Sequence, residues 1–78
     1  MKNSIAEEVE QNTEVFRYNL SQLMINYKGK FILMRHQEII EFFDTGRDAY
    51  FAGRKLYAHD QLFSVHEVLE PPQLWGVR

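Results

Sequence analysis

The chain has 78 residues, and its nine lysines and arginines against eleven aspartates and glutamates leave a net charge of −2, which gives no general pull towards phosphate backbones or anionic lipid. Hydrophobic residues make up 45% and aromatics 14%, enough for one ordered core and too much for a disordered chain. Cysteine is absent, which excludes disulfides, thiolate metal sites and thiol nucleophiles together.

The first element is a helix. Ser4-Ile5-Ala6-Glu7 has the form of a capping box, and Ile5, Val9, Phe16, Leu20, Leu23, Met24 and Tyr27 recur at near-helical spacing up to Gly29. Gln11-Asn12-Thr13 interrupts that stripe, and Asn12 is a second candidate N-cap that would leave residues 1–11 frayed. Thr13 to Asn26 is helical under either reading.

Three apolar runs follow. Lys28 to Met34 reads as a strand buried on both faces, Ile39 to Phe43 as a second, and Leu62 to Leu69 as a third ended by Pro71-Pro72. The first two form a hairpin, although the Asn-Gly pair that most strongly marks such a turn is missing. Between the second and third lies another helix. Thr45-Gly46-Arg47-Asp48 supplies an N-cap with an acid at the third helical position, and Ala49, Ala52, Gly53 and Leu56 form a small-residue stripe suited to close packing on a sheet.

The order α-β-β-α-β predicts an α+β domain with two helices and a three-stranded antiparallel sheet of order 2-1-3. The most apolar strand, Phe31 to Met34, is then central. No interdomain linker or repeat interrupts the chain, so 1–78 reads as a single domain with a tail over 71–78. No apolar run approaches the length of a membrane span, and Met1-Lys2-Asn3-Ser4 leads into acidic residues. A soluble, cytoplasmic protein is expected, with no membrane contact.

One motif resembles chemistry. Phe42-Phe43-Asp44-Thr45-Gly46 matches the signature of aspartic proteases, in which two aspartates share a proton and activate a water. A homodimer would supply both. Those enzymes are almost wholly β, whereas the residues after Gly46 read as helix, and the only bracing segment on offer is Leu74-Trp75-Gly76 near the end. Asp44 and Thr45 therefore read as helix caps, and no enzyme is expected. His36, His59 and His66, with Asp60 and Glu67, show no metal-ligand spacing, so neither metal nor cofactor is expected. Phe31, Tyr50, Phe51 and Phe63 read as core, and Arg47, Arg54 and Lys55 as a solvated face. Weak nucleic-acid contact through that helix is the alternative.

Tyr27-Lys28-Gly29-Lys30-Phe31, Phe42-Phe43-Asp44-Thr45, Asp48-Ala49-Tyr50, Gly53 and Phe63-x-Val65-x-x-Val68 occur in that order. Together they resemble small bacterial domains of unknown function, frequent in cyanobacteria, that are often encoded beside a retroviral-type aspartic protease. The resemblance covers about Tyr27 to Leu69. It departs from the pattern at Tyr57-Ala58-His59-Asp60, where such domains carry an aromatic-glycine helix end. It implies no catalytic residue and suggests a protein partner, with a neighbouring protease as one candidate.

The residues themselves lead to an interaction module. Phe31 and Leu33 point to one face of the first strand and Ile32 and Met34 to the other. If both helices cover one face, Ile32 and Met34 are left for a partner protein or a second copy, and a homodimer is expected. The competing arrangement places one helix on each face. Leu74 and Trp75 are the remaining candidates, either as anchors of a recognition arm or folded back on the domain.

Overall fold

The structure, a computed structural model, describes residues 4–70. Helix α1 (Ile5–Tyr27) leads into β1 (Phe31–Arg35) and β2 (Glu38–Phe43), followed by α2 (Gly46–Leu56) and β3 (Ser64–Glu67). Both β2 and β3 lie antiparallel to β1, giving the order β2-β1-β3. The α+β class, element order and strand order are those read from the sequence. Among the described residues no helix is long and apolar enough to cross a membrane.

α1 starts at the capping box. The Ser4 hydroxyl accepts from the Glu7 N–H at 3.1 Å, and the Glu7 carboxylate accepts from the Ser4 N–H at the same distance. The alternative start at Asn12, which would have left residues 1–11 frayed, is not taken, and the helix runs from Ile5. At the other end Gly29 turns the chain with φ 85°, and its N–H donates to the Val68 carbonyl, tying the turn to the end of β3.

The two helices lie on opposite faces of the sheet. Ile32 and Met34 pack with Phe16 and Leu23 of α1 and with Val68. Strand alternation sends Phe31, Leu33 and Arg35 the other way. There the Phe31 ring lies under Gly46 at the start of α2, Phe63 lies under Gly53, and Arg35 stacks on Tyr57 at the end of α2. This corrects the expectation that Ile32 and Met34 form an open interaction face. Both are fully buried, because α1 covers the surface they were expected to present. Each such side chain contributes on the order of 1.5–3 kcal/mol by leaving water, so the fold keeps them.

β2 carries a bulge. Leu33 pairs with Glu41 and Met34 with Ile39, so Ile40 is the additional residue. The hairpin turn places two non-glycine residues in the left-handed region, His36 at φ 52° and Gln37 at φ 68°. Positive φ at both positions is what a two-residue hairpin of matching twist needs, and it explains why Asn-Gly is the usual choice. Here the turn is held from outside, by α1.

Candidate functional site

Two features meet at the β3 side of the sheet, a buried polar cluster and an apolar groove. The cluster begins on α1 with Glu8 and Asn12, which are 1% and 0% exposed. One helical turn apart, they share the stripe that carries Phe16 and Leu23. The Glu8 carboxylate accepts from the His36 N–H at 2.6 Å, from the His36 ring Nδ1 at 3.1 Å and from the Asn12 amide at 3.1 Å. The Asn12 oxygen accepts from the Gln37 N–H at 2.6 Å, and its amide nitrogen donates to Ser64 Oγ at 2.9 Å. Both left-handed residues of the hairpin turn thus have their N–H groups satisfied by α1.

Ser64 Oγ lies 2.8 Å from His66 Nε2. The hydroxyl accepts from Asn12 and keeps one proton of its own, so it can donate to Nε2 of a neutral His66 ring. The ring stacks on Phe16 with centroids 4.9 Å apart. A serine and a histidine in hydrogen-bond contact are the beginning of a nucleophile and base. Ser64 is only 6% exposed, however, and its oxygen already serves Asn12, so the pair reads as one limb of a structural network. No buried side-chain nitrogen or oxygen among the described residues lacks a partner.

Charge follows this geometry. Burial alone raises the Glu8 carboxyl, but the His36 N–H, the Asn12 amide and the His36 ring outweigh it and hold the group below its ordinary value of 4.5. Burial lowers His66 from its ordinary 6.5. Both shifts act in the same direction on stability. The folded state keeps His66 neutral while the unfolded chain takes up a proton below 6.5, so stability falls as pH drops through that value. Glu8 contributes stability above 4.5 that is lost as pH falls further. The thermal midpoint, followed by circular dichroism from pH 8 to pH 4, is expected to decline below about 6.5 and more steeply below about 4.5. His66→Gln should flatten the first limb and spare the second. A midpoint constant between pH 7 and pH 5 would contradict this account.

The groove lies beside the cluster. It has a volume of about 340 Å³ and runs between the two helices along β3, lined by Ile5 and Val9 of α1, Tyr50 of α2, and Phe63, Ser64 and Val65. Ile5, Val9 and Tyr50 are 53%, 39% and 46% exposed. By spacing Ile5 and Val9 belong to the same apolar stripe as Phe16 and Leu23, yet they stand outside the core. The sheet-facing positions are taken by Glu8 and Asn12, which turns the two aliphatic residues onto the flank.

The other candidate residues lie elsewhere. Thr45 caps α2, its hydroxyl accepting from the Asp48 N–H at 3.1 Å. Asp44 takes no part in the cap. Its carboxylate pairs with Lys30, and that hydrogen bond holds it below the usual carboxylate range. Asp60 forms a two-pronged pair with Arg35, at 2.9 and 3.0 Å, which pushes its carboxyl strongly down. Arg35 also donates to the Leu62 carbonyl at 2.9 Å, and Leu62 N–H donates to Asp60 at 3.0 Å, so the α2–β3 connection closes around one guanidinium. His36, His59 and His66 do not converge, and among the described residues no three histidine, aspartate or glutamate side chains come together in a way that would hold a metal ion. Leu74 and Trp75 lie outside the described residues. From the sequence Asn12 was read only as a candidate N-cap and Glu8 was not singled out, although two polar residues four apart on an apolar stripe are a readable sign of burial with partners.

Compared with known protein families, curated proteins and solved structures, the chain matches none.

Proposed function

We propose that this domain is a non-catalytic protein–protein interaction module of the cytoplasm, and that it binds its partner in the groove along β3. The observation that carries this reading is the groove itself. Three large side chains, Ile5, Val9 and Tyr50, stand partly in water around a hollow next to an edge strand. An edge strand has one backbone side with no neighbour in its own sheet, which suits the addition of an extended segment. The partner's alternate side chains would then meet Ile5 and Val9 on one flank and Tyr50 on the other.

A second copy of the chain is not needed to cover Ile32 and Met34, since α1 already does so. The resemblance to domains encoded beside aspartic proteases makes such a protease a reasonable first partner to test. The aspartic-protease reading of this chain finds little support. A shared proton between two aspartates requires a raised pKa in one of them, whereas Asp44 is ion-paired, exposed and held low.

Affinity capture from the native cell tests the proposal when wild type is compared with Val9→Asp. Val9 is partly exposed, so the introduced carboxylate can be solvated and the fold should survive, as circular dichroism would verify. Partners recovered by wild type should be depleted roughly tenfold by a charge placed in a desolvated apolar contact. Equal recovery by a folded Val9→Asp protein would dismiss the groove as the binding surface.

A further inference from the structure

The groove opens onto a second surface of different chemistry. The outer face of α2 carries Arg47, Phe51, Arg54 and Lys55. Arg47 lies over the Phe51 ring and Arg54 over the Tyr50 ring, each 5.8 Å from the centroid. Such stacking holds a guanidinium in place with its edge open to a ligand. Phe51, Arg54, Lys55, Ala58 and Gln61 border a hollow of about 590 Å³. The two surfaces are continuous, because Gln61 lines both hollows and the Tyr50 and Phe51 rings lie 6.0 Å apart.

The cations of this face are not neutralised by acids, although Arg54 donates from one end of its guanidinium to the Tyr50 hydroxyl at 3.4 Å. Lys30 and Arg35 are tied to Asp44 and Asp60, but among the described residues Arg47, Arg54 and Lys55 enter no ion pair. Asp48, in the first turn, is the one acid of α2.

Resting on the interaction reading above, we infer that the partner is an acidic protein segment. Its apolar side chain seats in the β3 groove, and its neighbouring carboxylates pair with Arg54, Lys55 and Arg47. A planar guanidinium fixed over an aromatic ring presents two parallel N–H groups to a carboxylate, and Lys55 adds a mobile charge beside it. Nucleic acid fits less well. Tight binding of a phosphate backbone draws on roughly six to ten cationic contacts, and this face offers three on a chain of net charge −2.

Selection from a random peptide display library tests the inference without knowledge of the partner. Wild type should select peptides in which aspartate and glutamate beside a large apolar residue are enriched about twofold or more, and salt should weaken their binding roughly tenfold between about 50 and 300 mM. Arg54→Glu/Lys55→Glu, with both changes on exposed positions, should lose the acidic bias while keeping the helical signal. Val9→Asp should lose selection altogether.

Apolar peptides selected with no acidic bias would overturn the inference and leave the groove reading standing. No enrichment of any peptide by wild type would overturn both. Binding of a single-stranded oligothymidylate that Arg54→Glu/Lys55→Glu abolishes would reassign the face to nucleic acid. Salt-sensitive self-association lost in the same variant, without peptide selection, would make the acidic α1 of a second copy the occupant. Either result would overturn the inference.

Discussion

Asn12→Asp, the nearest isostere available, is expected to destabilise the domain by at least about 3 kcal/mol at neutral pH, a large share of the stability of so small a fold. The change removes one amide and no volume, so packing is untouched. The amide, however, donates to Ser64 Oγ and to Glu8, and an ionised carboxylate at this position has no donor for either. It also sets a second carboxylate against Glu8, at two positions that are almost completely buried. Two like charges this close in a poorly solvated site cannot both ionise without cost, so one of them is held protonated or the helix lifts off.

The pH dependence identifies the mechanism. A coupled pair of this kind has its proton uptake raised in the folded state. Its stability is therefore greatest below about 4, the ordinary aspartate range, and is lost as pH rises. The deficit relative to wild type should shrink in acid, where the introduced carboxyl, once protonated, can again donate. Urea midpoints for both proteins at about pH 7 and pH 4 measure this. A variant within about 1 kcal/mol of wild type at neutral pH would show that the cluster is solvated and not structural.

That cluster marks where the sequence was legible and where it was not. Helix starts were local and could be read directly, since Ser4 with Glu7 and Thr45 with Asp48 are caps made within three residues. Strand order followed from which run was apolar on both faces, and Ile32, Leu33 and Met34 are indeed fully buried. The placement of the helices was not legible in the same way. Ile5 and Val9 outweigh Glu8 and Asn12 in any hydrophobic count, so the first two turns of α1 appeared to face the core with the wrong side. What decides the matter is a long-range complement. The N–H groups of His36 and Gln37, turned inward by left-handed backbone, need acceptors, and a polar pair on α1 supplies them. Such a match joins residues more than twenty positions apart and leaves no periodic trace. Asp44 stands one residue before the cap that Thr45 makes, which leaves its carboxylate to pair with Lys30 at the neighbouring strand end.

Gly53→Ala is expected to destabilise the domain by roughly 1–3 kcal/mol, against the gain of about 1 kcal/mol that alanine normally brings to a helix interior. Gly53 is buried in α2, and a Cβ built on it would lie 2.6 Å from Cδ1 and Cε1 of Phe63 and 2.9 Å from Cγ. These are ring atoms near the root of the side chain, so the ring cannot simply bend away. It is 7% exposed and has the Tyr50 and Tyr57 rings close by, with centroids 5.9 and 6.4 Å away. Relief requires α2 to rise from the sheet, and Ala49 would lose its full burial with it. The clash should therefore outweigh the propensity gain. A double-mutant cycle separates the two effects. Phe63→Leu alone opens a cavity and costs stability, but it also clears the space above Gly53. In that background Gly53→Ala should be close to neutral or stabilising, with a coupling of about 1–2 kcal/mol between the sites. If Gly53→Ala raises the urea midpoint in the wild-type background, α2 does not lie this close to the sheet. The groove at Tyr50, positioned by the same helix, would then have a different shape.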